Sequence, residues 1–193
     1  MNDTDFGTYH HTTREVSENT RTFLKEVFHD QIVSLMKNDR EISVLDAGCG
    51  MGFLSYVAAI SLPNSRITGV DIFDNESLLG SSKNQADKNI RELGLTQRVS
   101  IEKDDLRKLR FEDGSFELVL SNLVFHNLGK ERFSAYSEIF RVMKEGGYFI
   151  LGDLFMHEQI DSEFLRKMFK PIKTIRFKDK MPKPYAIKIF LKV

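Results

Sequence analysis

Ile42-Ser43-Val44-Leu45-Asp46-Ala47-Gly48-Cys49-Gly50-Met51-Gly52 is the stretch on which the reading of this chain turns. Ile42 to Leu45 has the apolar character of a buried strand, small residues follow at once, and Phe53 to Ile60 reads as a helix. Strand, glycine turn and helix form the first half of a βαβ unit. Glycine carries no Cβ, so it accepts positive φ and lets a ligand lie against the backbone. The helix start offers unpaired N–H groups and a positive dipole end, which suits a nucleotide-like ligand. Gly48, Gly50 and Gly52 run G-x-G-x-G. A dinucleotide fingerprint needs G-x-G-x-x-G, and Phe53 stands where its third glycine would be.

Bulk composition narrows the class. A chain of 193 residues suits one domain with a proper core. Its 41% hydrophobic and 29% charged residues are those of a soluble globular protein. The formal net charge is zero, so no global field favours nucleic acid or a membrane surface. No apolar run reaches the length of a bilayer span, and the N-terminus reads as lacking a signal peptide. Cys49 is the single cysteine, which removes intrachain disulfides and cysteine-rich zinc sites. A cytoplasmic setting is expected. Charge is unevenly spread: Leu154 to Val193 holds ten Lys/Arg against four Asp/Glu. Solvated faces account for this excess, and attraction of an anionic substrate is the sharper alternative.

Read outward from the turn, Met1 to His11 has no period and is expected to be a flexible lead-in, though Phe6, Tyr9, His10 and His11 could cover a site. Thr12 and Glu15 fit a capping box opening a helix from Thr13 to Lys37. Arg66 to Asp71 is the second strand, and Asp71 lies 23 residues beyond Gly48. Parallel strands deliver their C-terminal ends to one edge, where a carboxylate can accept both hydroxyls of a ribose. Capping of the next helix is the plainer role for Asp71. Glu76 to Leu93 reads as a helix stopped by Gly94. Strands are expected over Arg98 to Lys103, Ser115 to Ser121 and Tyr148 to Leu151, the last closing at Gly152-Asp153. A helix over Arg132 to Lys144 should end at Gly146-Gly147, and a short one bearing Ile160 and Phe164 at Pro171. Ile172 to Phe177 and Tyr185 to Val193 complete the chain as an antiparallel hairpin, with Lys178 to Pro184 as its loop. Strand and helix thus alternate five times before the hairpin.

LDAGCGMG resembles the first motif of the class I S-adenosylmethionine (SAM) dependent methyltransferases, and the order of elements is similar to that family's plan from about Glu41 onward. The resemblance implies an α/β, Rossmann-like three-layer sandwich. Its sheet would have seven mostly parallel strands and a C-terminal antiparallel hairpin, within one domain over 1–193. Residues 1–40 would cover the sheet or the site. ITGVDIF resembles the second motif, which would give Asp71 the SAM ribose, with Ile72 beside it. Aligning Leu109 and Phe111 with the family's G-D-A-x-x-L-P-F implies an adenine contact for Asp105 and puts Leu106 at the usual alanine. Asp104 and Arg110 depart from that pattern. DGSFELVLSNLVFHNL and RVMKEGGYFILGDL are similar to later segments of the small-molecule branch, with SNLVFHNL nearest the ubiquinone/menaquinone type. Asn122 is followed by Leu123-Val124, unlike the N/D-P-P-Y of nucleic-acid amino methyltransferases.

The implied cofactor set is Asp46, Gly48, Cys49, Gly50, Gly52, Asp71, Ile72, Asp105, Leu106 and Asn122, with a small molecule as substrate and no nucleic-acid partner. SAM arrives activated, so the protein needs alignment and exclusion of water more than reactive groups. His126, five residues past the fourth strand, is the candidate proton acceptor and substrate contact, and packing or a helix start is its plainer role. Tyr9 is a second candidate substrate contact. Scattered histidines give no metal spacing. Two other classes stay open: a nicotinamide-dependent oxidoreductase, and a non-catalytic module binding SAM or its product.

Overall fold

The computed structural model describes residues 4–36, 41–74, 78–177, 181 and 184–193. In chain order it runs β1 (Thr8–Tyr9), α1 (Arg14–Leu35), β2 (Ile42–Ala47), α2 (Phe53–Ser61), β3 (Ser65–Asp71), β4 (Leu78–Leu79), α3 (Lys83–Glu92), β5 (Val99–Lys103), β6 (Phe116–Asn122), a 3-10 stretch Phe125–Glu131, α4 (Arg132–Val142), β7 (Met143–Leu154), α5 (Glu158–Leu165), β8 (Phe169–Arg176) and β9 (Tyr185–Lys192). Seven strands form one sheet in the order β5-β3-β2-β6-β7-β9-β8. The first five are mutually parallel; β9 runs antiparallel to both β7 and β8. This is the expected α/β sheet with its antiparallel C-terminal pair.

Layers follow from the apolar stripes. Leu24, Phe28 and Ile32 of α1, with Leu54 and Val57 of α2 and Ile90 of α3, cover one face of the sheet. Ala135, Tyr136, Ile139 and Val142 of α4, with Leu165 of α5, cover the other. Phe28 is fully buried, and burying such a side chain contributes about 1.5–3 kcal/mol.

Several boundaries move. Thr13, not Thr12, caps α1: its Oγ1 accepts from Val16 N at 3.2 Å, whereas the Thr12 hydroxyl turns back to Tyr9 O. The helix expected over Glu76 to Leu93 begins at Lys83, because Gly80 takes φ +77° and the Ser82 hydroxyl accepts from Gln85 N as the cap. Its start at Glu76, like Lys37 and most of the loop Lys178 to Pro184, lies outside the described residues. Its end is as expected: Gly94 N donates to Arg91 O and Leu95 N to Ile90 O, the paired bonds of a Schellman stop.

The helix α4 stops at Val142, and Gly146-Gly147 lie inside β7, where the pairing register with β6 shifts. Pro171 sits in the edge strand β8 at an irregularity, where a missing N–H is tolerated. The five-fold alternation is broken between β5 and β6, where no helix forms. Side chains satisfy that backbone instead: Glu138 accepts from Leu109 N, and Arg141 donates to the carbonyls of Leu109 and Phe111.

Candidate active site

The turn after β2 is held from below and from one side. Gly48 N and Cys49 N both donate to Val70 O at 2.9 Å. Gly50 N donates to Asp71 Oδ2 at 2.9 Å, and Phe73 N to Asp71 Oδ1 at 2.7 Å. Asp71, ending β3, thus clamps the turn that follows β2. Gly48 has φ +78°, and a Cβ there would collide with Val124. Gly52, at φ +88°, is the N-cap of α2 and supplies no capping side chain, so the first-turn N–H groups get no side-chain acceptor from it.

Asp46 is 1% exposed and accepts from the Ser55 hydroxyl at 2.6 Å. Burial pushes its carboxyl up to about 7, against the pull of Ser55. It supports the turn from within. Burial likewise raises Asp71, opposed by the Phe73 and Gly50 N–H groups. Cys49 is buried and its thiol is pushed well up by burial, so it is a small packing residue rather than a nucleophile.

Farther along the edge the expected residues separate into roles. Ile72 is half-buried beside Asp71. Asp105 is paired with Arg107 at 2.6 Å, and that guanidinium holds its carboxyl below the ordinary range. Arg107 also reaches Glu131. Leu106 is buried in the core beneath that loop. Asn122 ends β6, and its Oδ1 accepts from the Tyr185 hydroxyl at 2.7 Å. Burial raises the Tyr9 phenol, and nearby Arg21 and Asn122 pull it back.

Tyr9 arrives on the segment expected to be a flexible lead-in. That segment is a strap. Tyr9 pairs with Leu78 and Thr8 with Leu79 as a two-stranded ribbon. Arg21 donates to Gly7 O at 2.6 Å and Phe6 O at 2.8 Å, and its guanidinium lies 4.3 Å over the Tyr9 ring. Buried Asn89 donates to Asp5 O and to Met51 O of the glycine turn, both at 2.9 Å. Phe6 packs on Phe53 and Tyr56 of α2. His10 and His11 are exposed and stand outside this cluster.

His126 lies on the same edge. Its Nδ1 is 2.5 Å from Asp153 Oδ1, at the end of β7. Asp153, Tyr185 and Arg21 belong to this cluster by their contacts, and sequence reasoning alone misses them. A signal exists for the first: Asp153, like Asp46 and Asp71, stands within one residue of the C-terminal end of its strand. His157 stands at the N-cap of α5 with no capping bond from its side chain. Among the described residues no cluster of His, Cys, Asp and Glu could hold a metal.

Residues 38–182 match the methyltransferase domain family. Among curated relatives, a sterol 4-C-methyltransferase of Caenorhabditis elegans is 30% identical over 138 residues, 70% of this chain and 38% of that one. A demethylmenaquinone methyltransferase of Bacteroides fragilis is 24% identical over 63% of this chain and 47% of that one. The chain therefore spans less than half the length of these relatives. Among solved structures, a SAM-dependent methyltransferase of Methanosarcina mazei superposes with a TM-score of 0.65 at 19% identity, over 79% of this chain and 93% of that one. Sheet order, clamped glycine turn and family match agree: the chain belongs to the methyltransferase domain family, the class I SAM-dependent methyltransferases.

Proposed function

We propose that this chain is one SAM-dependent methyltransferase domain that transfers a methyl group to a small-molecule acceptor. The observation that carries the reading is the clamp of Asp71 on Gly50. It makes one site of two neighbouring strand ends. Among the described residues each Asp71 oxygen accepts one backbone N–H, and a carboxylate offers about four lone-pair sites, so acceptor capacity for a ribose remains. Gly48 to Gly52 would hold the cofactor's backbone side, with the α2 N–H groups toward its charged end. Asp105 and Leu106 would border the adenine, provided that Arg107 yields its hold on Asp105. Asn122 and Tyr9 would close the site above.

When bound, SAM supplies a methyl group on a sulfonium that needs no further activation. The chain's task is to align an acceptor and exclude water, and the strap over the turn serves that second task. Zero net charge favours a small molecule over nucleic acid. Among the described residues no helix is long and apolar enough to cross a membrane, and a cytoplasmic place fits this reading.

Titration calorimetry with SAM, S-adenosylhomocysteine and NAD tests it. Both sulfur ligands should compete for one site, and NAD should give no heat. Binding of NAD alone would replace this reading with the oxidoreductase one.

A further inference from the structure

We propose that Asp153 is a positioning residue that holds the His126 imidazole with Nδ1 protonated and Nε2 bare. The Nε2 lone pair then takes the proton of a methyl acceptor that must lose one: a hydroxyl, or a carbon beside a phenol. The inference rests on the methyltransferase reading above and names the acceptor class for that site.

The hydrogen bonds around Asp153 decide the tautomer. Its Oδ2 accepts from Phe125 N at 2.8 Å and His126 N at 3.3 Å. Its Oδ1 accepts from Leu154 N at 2.7 Å and faces His126 Nδ1 at 2.5 Å. A carboxylate held by three backbone donors is an acceptor, so the ring nitrogen against it must donate. In a neutral imidazole the other nitrogen is then bare. Asp153 is 1% exposed, which keeps water from competing for this bond, whereas the His126 side chain is 22% exposed. Among the described residues Nε2 has no hydrogen-bond partner.

The backbone places this pair at the cofactor turn. Asn122 is in register with Gly152, so Asp153, still paired with Ala186 of β9, stands one residue past the end of β6. Leu123 takes the left-handed conformation at φ +59° and donates to Gly152 O at 2.8 Å. For a leucine that conformation is strained, and such strain gathers at functional sites. The bend lays Val124 against Gly48, two residues before His126.

The proton balance follows. SAM, when bound, supplies the methyl group, and the electron pair of the broken sulfur–methyl bond stays on sulfur. The acceptor gains the methyl and gives its O–H or C–H proton to Nε2. The imidazolium that forms is paired with Asp153, and its proton passes on to water along the exposed edge. An acceptor that is already a strong nucleophile would have no use for this arrangement.

The test uses the full chain with ¹⁵N-labelled histidines, with and without S-adenosylhomocysteine. Long-range ¹H–¹⁵N correlation should show His126 as the Nδ1–H tautomer. In Asp153→Asn, whose amide can donate to Nδ1, the Nε2–H form should take over. Diethyl pyrocarbonate, which attacks a bare imidazole nitrogen, should modify His126 in wild type and at least several-fold more slowly in Asp153→Asn. Exposed His10 and His11 serve as internal controls, read by peptide mass spectrometry. An Nε2–H imidazole in wild type, or a His126 inert to the reagent, overturns the proposal, and both are read without any variant should Asp153→Asn not fold. Intact S-adenosylhomocysteine binding with either result removes the proton-acceptor role alone. Loss of that binding in wild type counts against the methyltransferase reading itself.

Discussion

Asp46 and Asp71 end adjacent strands, and burial acts on both carboxyls in the same direction. For Asp46, near 3.8 ordinarily and pushed up to about 7, the folded state keeps a proton that the unfolded chain gives up. Folding therefore binds protons between these values, and the contribution of Asp46 to stability falls as pH rises through that window. Asp46→Asn removes the titration and keeps an acceptor for Ser55. Urea midpoints of variant and wild type at pH 5 and pH 8 should show the variant gaining relative stability at pH 8, by about 1.4 kcal/mol for each pH step of one crossed inside the window. A difference that does not change with pH would mean that Asp46 is solvated. Asp71 has two duties, so its loss should show twice. Asp71→Ala should weaken SAM binding by about 1.5–3 kcal/mol. It should also lower stability by about 1–3 kcal/mol, because the Gly50 and Phe73 N–H groups lose their acceptor. Calorimetry and denaturation read the two separately, and a folded variant with unchanged affinity would move the ribose contact elsewhere.

The strap over Asp5 to Thr12 owes its order to two side chains from distant elements, Arg21 of α1 and Asn89 of α3. Arg21→Met should free it. Two bonds from a charged donor are worth about 1.5–3 kcal/mol each, so amide exchange over Gly7 to Tyr9 should quicken by at least about tenfold. Exchange in α4, which packs on the opposite face of the sheet from α1 and α3, should stay as in wild type. Unchanged exchange at the strap would show that Phe6 and the β1–β4 ribbon hold it alone. Such long-range bonds explain what is legible in the sequence and what is not. Strands β2, β3 and β6 announce themselves by local apolar runs, and the turn by its glycines. The strap has no local pattern at all: its partners lie 14 and 84 residues away. The pairing of His126 with Asp153 spans 27 residues, and only the parallel register of β6 and β7 brings the two together. Local signals also mislead at Gly146, which looks like a helix stop although its neighbours are already part of β7.

The two ends of the chain stand in opposite relation to the fold. Strand β9 lies between β7 and β8 and is buried along nearly its whole length. Tyr185, Ile187 and Ile189 enter the core on the α1 side, Ala186 and Phe190 that on the α4 side. Removing Tyr185 to Val193 would leave β8 with no strand to pair with and would open both cores at once. That truncation should therefore not fold, as judged by loss of a cooperative urea transition. Removing residues 1–12 takes away, among the described residues, the strap and its β1–β4 pairing. The seven-stranded sheet keeps every pairing, and Arg21 moves from carbonyl partners to water. This second truncation should keep its far-ultraviolet circular dichroism and its cooperative transition. It should release S-adenosylhomocysteine faster in stopped-flow displacement, because the closing segment over Gly50 and Met51 is gone. A strapless chain that no longer folds would make the segment part of the core. One that folds and releases ligand at the wild-type rate would show that cofactor exchange does not pass beneath it.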